Sequence, residues 1–163
     1  MTFTYEGSAH RFGMPESRYL FVYGTLRAAA GTEWSKFLAS ASRFAGAGRA
    51  HGALFQLDGY PGMTACTDGD AWVCGEVYLL NDPSLSWPTL DAYEGCGPVD
   101  RLPHEFERQV VTVVLNDGQA IEAWAYIYTL QTQGRARIAS GDYLQANHVE
   151  DQSRRVDIKA VGG

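Results

Sequence analysis

Runs of apolar and polar residues along the chain predict short strands separated by tight turns, with two helical segments. Tyr19-Leu-Phe-Val-Tyr23 is a block of β-formers stopped by Gly24, which predicts a buried first strand. Thr32 followed by Glu33 opens a helix running to about Ser40, with Trp34, Phe37 and Leu38 at helical spacing on its inner face. From Arg43 to Leu57 the chain reads as one or two strands of small residues, bent at Gly46, Gly48 and Gly52 as a small barrel requires. Asp58-Gly-Tyr-Pro-Gly62 is a dense turn signal. Val73–Leu80 alternates as a strand, with Val73, Gly75, Val77 and Leu79 on one face and Cys74, Glu76, Tyr78 and Leu80 on the other. Asp82-Pro83 has the form of a helix start. Pro88 lacks an N–H, so a turn through Ser86 and a second helical piece from Pro88 to Glu94, closed by Gly95, are expected. Val110–Val114 and Ile121–Thr129 flank Asn116-Asp-Gly118, a strong hairpin signal. The tail from Gln131 is weakly patterned.

Composition narrows the class. The 163 residues suit one domain, and 18 Gly, 9 Tyr, 7 Phe and 4 Trp agree with a turn-rich, mostly β chain. A net charge of −6 argues against nucleic acid or an anionic membrane as partner. The apolar runs are strand-sized, far short of the ~20 residues of a membrane span. Residues 1–18 lack the basic start and apolar stretch of a signal peptide, so a soluble protein is expected, and the odd, unpaired set of cysteines points to a reducing, cytoplasmic compartment. Cys66, Cys74 and Cys96 form no C-x-x-C pair, and the four histidines are scattered. Free thiols and no metal are the expectation. Phosphate-loop, dinucleotide-loop and nucleophile-elbow motifs do not occur in the sequence.

Two segments carry candidate chemistry. In Phe21-Val-Tyr-Gly-Thr-Leu-Arg27 a strand stops at a glycine and turns. Such a turn leaves successive backbone N–H groups unpaired, a concavity suited to a carboxylate, although an ordinary strand-to-loop turn reads the same way. In Leu90-Asp-Ala-Tyr-Glu-Gly-Cys96 the last helical turn holds Glu94. The negative end of the helix dipole and partial burial against Tyr93 or Trp87 would raise its pKa; a surface Glu ending a helix is the plain alternative.

Taken in order, these segments resemble the gamma-glutamylcyclotransferase-like family, in particular its gamma-glutamylamine cyclotransferase branch. The matching pieces are Val22-Tyr-Gly-Thr-Leu-Arg27, Tyr60-Pro-Gly62, Gly75-Glu-Val-Tyr78, Leu90-Asp-Ala-Tyr-Glu94 and Glu107-Arg108, with a weaker match at Ser140-Gly-Asp-Tyr143. The resemblance implies an α+β fold, a small mixed β-barrel with flanking short helices, holding one pocket and no cofactor. It places the domain at residues 19–143, between an N-terminal extension (1–18) and a C-terminal tail (144–163). By resemblance, Tyr23, Gly24, Thr25 and Leu26 hold the glutamyl end of a small gamma-glutamyl substrate. Glu94 is the acid/base, and 5-oxoproline is released with an amine or amino acid. Where the family often has Tyr-x-Arg, this chain has Phe106-Glu-Arg108, so any polar role of that tyrosine is lost or passes to Tyr126, Tyr60 or a water. Arg108 either orients a carboxylate or forms a strand-edge salt bridge. Glu76 is expected to be structural, since one base suffices. The competing readings are a non-catalytic binding module that keeps the pocket, and an interaction protein in which Glu94 points to solvent.

Overall fold

Alternation along the first strand divides the core in two. In a computed structural model, residues 18–65 and 70–146 are described. β1 (Tyr19–Val22) sends Phe21 to one side of the sheet and Leu20 and Val22 to the other. Phe21, Ala50, Val73, Val77, Val113, Ala123 and Ala125 meet on the first side. Leu20, Val22, Tyr78, Leu80, Tyr126 and Tyr128 meet the helical residues Leu38 and Leu90 on the second. Both faces of the wall are therefore buried along much of its length, and this is why Tyr78 and Leu80 are buried on the face opposite Val73 and Val77.

The strands are β2 (Ser42–His51), β3 (Ala53–Gln56), β4 (Pro61–Thr64), β5 (Trp72–Leu80), β6 (Phe106–Leu115), β7 (Ala120–Tyr128) and β8 (Ala136–Arg137). A closed barrel runs β1-β5-β2-β6-β7, and a second sheet is ordered β4-β3-β8. The barrel is mixed: β1 pairs antiparallel with β5 and parallel with β7, where Leu20 meets Trp124. β2 is irregular at Phe44–Gly46, in the glycine-rich stretch expected to bend. The β6–β7 hairpin turns at Asn116–Gly118, with Gly118 at φ 90° and its N–H donating to the Leu115 carbonyl. The α+β barrel expected from the sequence is the fold observed.

Helix α1 (Glu33–Ala41) starts at Thr32, whose side chain accepts from the Ser35 N–H at 3.0 Å. Helix α2 (Pro83–Glu94) corrects the sequence reading, because it runs unbroken through Pro88 where two pieces were expected. The reason is local. Ser84, whose carbonyl would have bonded the missing N–H, is exposed, so leaving that carbonyl without a helical partner costs little. Meanwhile Ser86 and Leu90 are buried and hold both halves on the barrel. Asp82 does occupy the N-cap, but its side chain makes no capping bond. The N-terminal extension to residue 17, Cys66 and most of the C-terminal tail lie outside the described residues.

Candidate active site

A cavity of about 490 Å³ opens where β1 ends, lined by the loop after it, the β3–β4 turn, the end of α2 and the segment entering β6. Phe21 to Leu26, Gly59 to Pro61, Tyr93 to Gly95, Glu105, Phe106 and Tyr126 form its wall. Seven of the eight site residues expected from sequence are in that wall: Tyr23, Gly24, Thr25, Leu26, Tyr60, Glu94 and Tyr126. Arg108 is not.

The loop after β1 is shaped by close packing. A Cβ on Gly24 would lie 2.6 Å from Cγ of Pro61, so only glycine lets the loop pass the β3–β4 turn. The Gly24 carbonyl accepts from Arg27 N–H at 3.0 Å, closing a turn. Among the described residues, no acceptor takes the N–H groups of Gly24, Thr25 or Leu26. Three wall residues thus keep donors for an anion. Arg27 anchors the far side: it bonds Glu76 at 3.1 Å and Asp142 at 2.9 Å, while Glu76 also accepts from Ala28 N–H and the Tyr78 hydroxyl. Glu76 is therefore a brace for the loop, outside the cavity.

Tyr23 contributes its position more than its hydroxyl. That hydroxyl donates to the Tyr126 carbonyl at 2.5 Å and accepts from Met63 N–H at 3.2 Å, and burial pushes its pKa up. Thr25 Oγ1 lies 3.1 Å from the Tyr93 hydroxyl, and the Tyr93 ring packs 4.2 Å from that of Trp34. These contacts tie the loop to the ends of both helices.

Glu94 stands in the last turn of α2, where Gly95 adopts φ 72° and lets the chain leave the helix. Its pKa is pushed up to about 8, first by burial and then by the negative charge of Glu105. Among the described residues nothing hydrogen-bonds to its carboxyl group or forms an ion pair with it. The sequence anticipated the direction of this shift through burial, and Tyr93 is in the wall as expected. Trp87 is elsewhere, and Glu105 was not foreseen. Glu105 sits in the irregular segment before β6, and nothing in its neighbours marks it from sequence. Its Oε1 accepts from the Tyr60 hydroxyl at 2.7 Å, a bond that with burial pushes Tyr60 up to about 12.

Arg108 belongs to a clamp behind the cavity. Its Nη2 donates to Asp91 Oδ2 at 3.1 Å, and Nε lies 3.0 Å from Oδ1 without the alignment of a hydrogen bond. The guanidinium lies 4.4 Å from the Trp87 ring and 5.1 Å from the Trp124 ring. The Tyr126 hydroxyl also donates to Asp91, at 2.7 Å. Of the two readings left open, the salt bridge is the one formed, and the carboxylate that Arg108 orients is the protein's own. Phe106 is buried in the wall, and the hydroxyls of Tyr60 and Tyr126 are both committed to carboxylates.

Cys74 and Cys96 are free thiols, and no cluster able to hold a metal occurs among the described residues. No helix among them is long and apolar enough to cross a membrane.

Residues 20–145 match the family model described as gamma-glutamyl cyclotransferase, AIG2-like. The gamma-glutamylcyclotransferase family protein YtfP of Escherichia coli K12 is 30% identical over 125 residues, covering 77% of this chain and 95% of that protein. The solution structure of ytfP from Escherichia coli superposes with a TM-score of 0.54 at 27% identity, over 79% of this chain and 98% of that one. An AIG2-like protein from Mus musculus gives a TM-score of 0.59 at 22% identity, over 77% and 86% of the two chains, a likeness of fold.

Proposed function

The chain belongs to the gamma-glutamyl cyclotransferase, AIG2-like family, and from that premise we propose that it cyclises gamma-glutamyl amides to 5-oxoproline with Glu94 as the acid/base. The observation that carries this reading is the setting of Glu94. A carboxyl group titrating near 8 shares one cavity with three backbone N–H groups that have no acceptor among the described residues. The donors suit the substrate's α-carboxylate. The α-ammonium beside it has a reference pKa of roughly 8, so proton transfer to Glu94 is close to balanced, whereas an ordinary Glu near 4.3 would be a weak base.

The steps follow from that match. Glu94 takes a proton from the α-ammonium, and the freed amine attacks the γ-carbonyl to form the ring C–N bond. Protonated Glu94 then gives its proton to the amide nitrogen, whose bond to the γ-carbon breaks. The surplus proton on the ring nitrogen goes to the released amine, which leaves as an ammonium ion. The attack is intramolecular, so holding the chain folded supplies much of the rate; effective molarities of roughly 10⁵–10⁸ M set the scale. No step calls for a cofactor. Incubation with gamma-glutamyl amines, gamma-glutamyl dipeptides and ε-(γ-glutamyl)-lysine is expected to yield 5-oxoproline and free amine in equal amounts. Binding without product across the panel would instead support a non-catalytic pocket.

A further inference from the structure

Ring closure puts negative charge on an atom that the steps above leave without a partner. When the α-amine attacks the γ-carbonyl, the C=O electron pair moves onto the oxygen, and it returns as the bond to the leaving nitrogen breaks. A donor aimed at that oxygen is usually the largest single aid to such a reaction. Among the described residues the cavity wall holds no Lys, Arg or His, and five of its residues carry hydroxyls: Tyr23, Thr25, Tyr60, Tyr93 and Tyr126. Three of these have committed their protons, Tyr23 to the Tyr126 carbonyl, Tyr60 to Glu105 and Tyr126 to Asp91. The hydroxyls of Thr25 and Tyr93 bond only each other among the described residues, at 3.1 Å. Two hydroxyls carry two protons and their mutual bond uses one, so a donor is left over whichever way that bond runs.

The pair stands between the groups that hold the substrate. Thr25 belongs to the loop that offers N–H groups to the α-carboxylate, and Tyr93 directly precedes Glu94 in the last turn of α2. The Tyr93 ring is held by packing 4.2 Å from that of Trp34. A glutamyl chain with its carboxylate on the loop and its amine at Glu94 brings the γ-carbonyl up to this junction. We infer that Tyr93 is a catalytic residue, its hydroxyl donating to the γ-carbonyl oxygen as charge develops there, while Thr25 donates to Tyr93. A phenol is the stronger donor of the two, and accepting from Thr25 strengthens it further. No proton leaves Tyr93; the bond tightens as the ring forms and relaxes as the amine departs. The inference rests on the cyclotransferase reading.

Sulfur accepts hydrogen bonds weakly, so sulfur in place of the γ-carbonyl oxygen probes the bond at the atom it reaches. The amide of the panel above that native protein cleaves fastest is compared with its γ-thioamide, by release of free amine. Tyr93→Phe is expected to lower kcat on the oxygen amide by about a hundredfold with KM little changed, the scale of one lost oxyanion donor, and to slow the thioamide far less. The oxygen-to-sulfur ratio of kcat/KM then falls about as far as kcat. Thr25→Val breaks the same tie between loop and helix but leaves Tyr93 its proton, so its ratio is expected to stay near the native one. A ratio unmoved in Y93F, or lowered equally in T25V, overturns the inference and leaves the reaction intact. Should Y93F not fold, native protein still decides: its ratio is expected to exceed that of uncatalysed cyclisation in buffer, and an equal ratio overturns the inference. No product from any amide of the panel with native protein overturns both readings.

Discussion

Glu94 is held at odds with its surroundings. Its pKa near 8 means the folded state keeps a proton that the unfolded chain sheds at about 4.5. The unfolded state therefore binds fewer protons between these values, and this residue's contribution to stability is greatest below pH 4.5 and lost as pH rises through 8. Glu94→Gln is expected to stabilise the protein by about 2 kcal/mol at pH 8, discounted for a half-buried group, and by almost nothing at pH 4. Urea denaturation at the two pH values checks it, and equal stability at pH 8 would contradict the burial argument. Activity follows the opposite sign, since the base form grows as pH rises. The acid limb of kcat/KM should lie near pH 8, and Glu105→Gln should draw the enzyme's part of it downward by removing the neighbouring negative charge. A limb unmoved in that variant would separate the two carboxylates.

Helix α2 shows where local signals serve and where they do not. Gly95 as a stop and Pro83 as a start are written in single residues, and both ends form as read. Pro88 is an equally local signal for a break, but burial of Ser86 and Leu90 on either side overrides it. An exposed proline inside a helix held by tertiary contacts leaves propensity unrecovered. Pro88→Ala is thus expected to raise stability by about 1–2 kcal/mol without changing activity, read from denaturant midpoints. The loop after β1 makes the reverse case. Gly24 looks from sequence like a strand stop, yet its necessity comes from Pro61, 37 residues away and in another sheet. Gly24→Ala is expected to cost about 1–3 kcal/mol and to raise KM, because Pro61 is too rigid to yield and the loop must move off it. A crystal structure of that variant with an unmoved loop would contradict this.

In the whole molecule, closing β1 against both β5 and β7 brings the loop after β1 and the end of α2 to one cavity. The strands and the glycine-bent barrel were legible because their signals repeat every second residue or sit at turns. Glu94 and the Tyr23–Leu26 loop were legible because short motifs carry them in order. Glu105 and the Asp91–Arg108–Tyr126 clamp were not, since each acquires its meaning from partners brought together only by barrel closure. The clamp also pairs Arg108 with Asp91, the salt-bridge reading that the sequence had left open beside a substrate role. The net charge of −6, first a mark against large anionic partners, agrees locally with a cavity whose wall, among the described residues, holds no basic side chain. The central claim is that this cavity cyclises a gamma-glutamyl chain through Glu94. Its most direct test is 5-oxoproline release by native protein and Glu94→Gln, with substrate binding measured on both by calorimetry. The expected result is product from the native protein, none from the variant, and comparable binding by each. Full turnover by the variant would contradict the account.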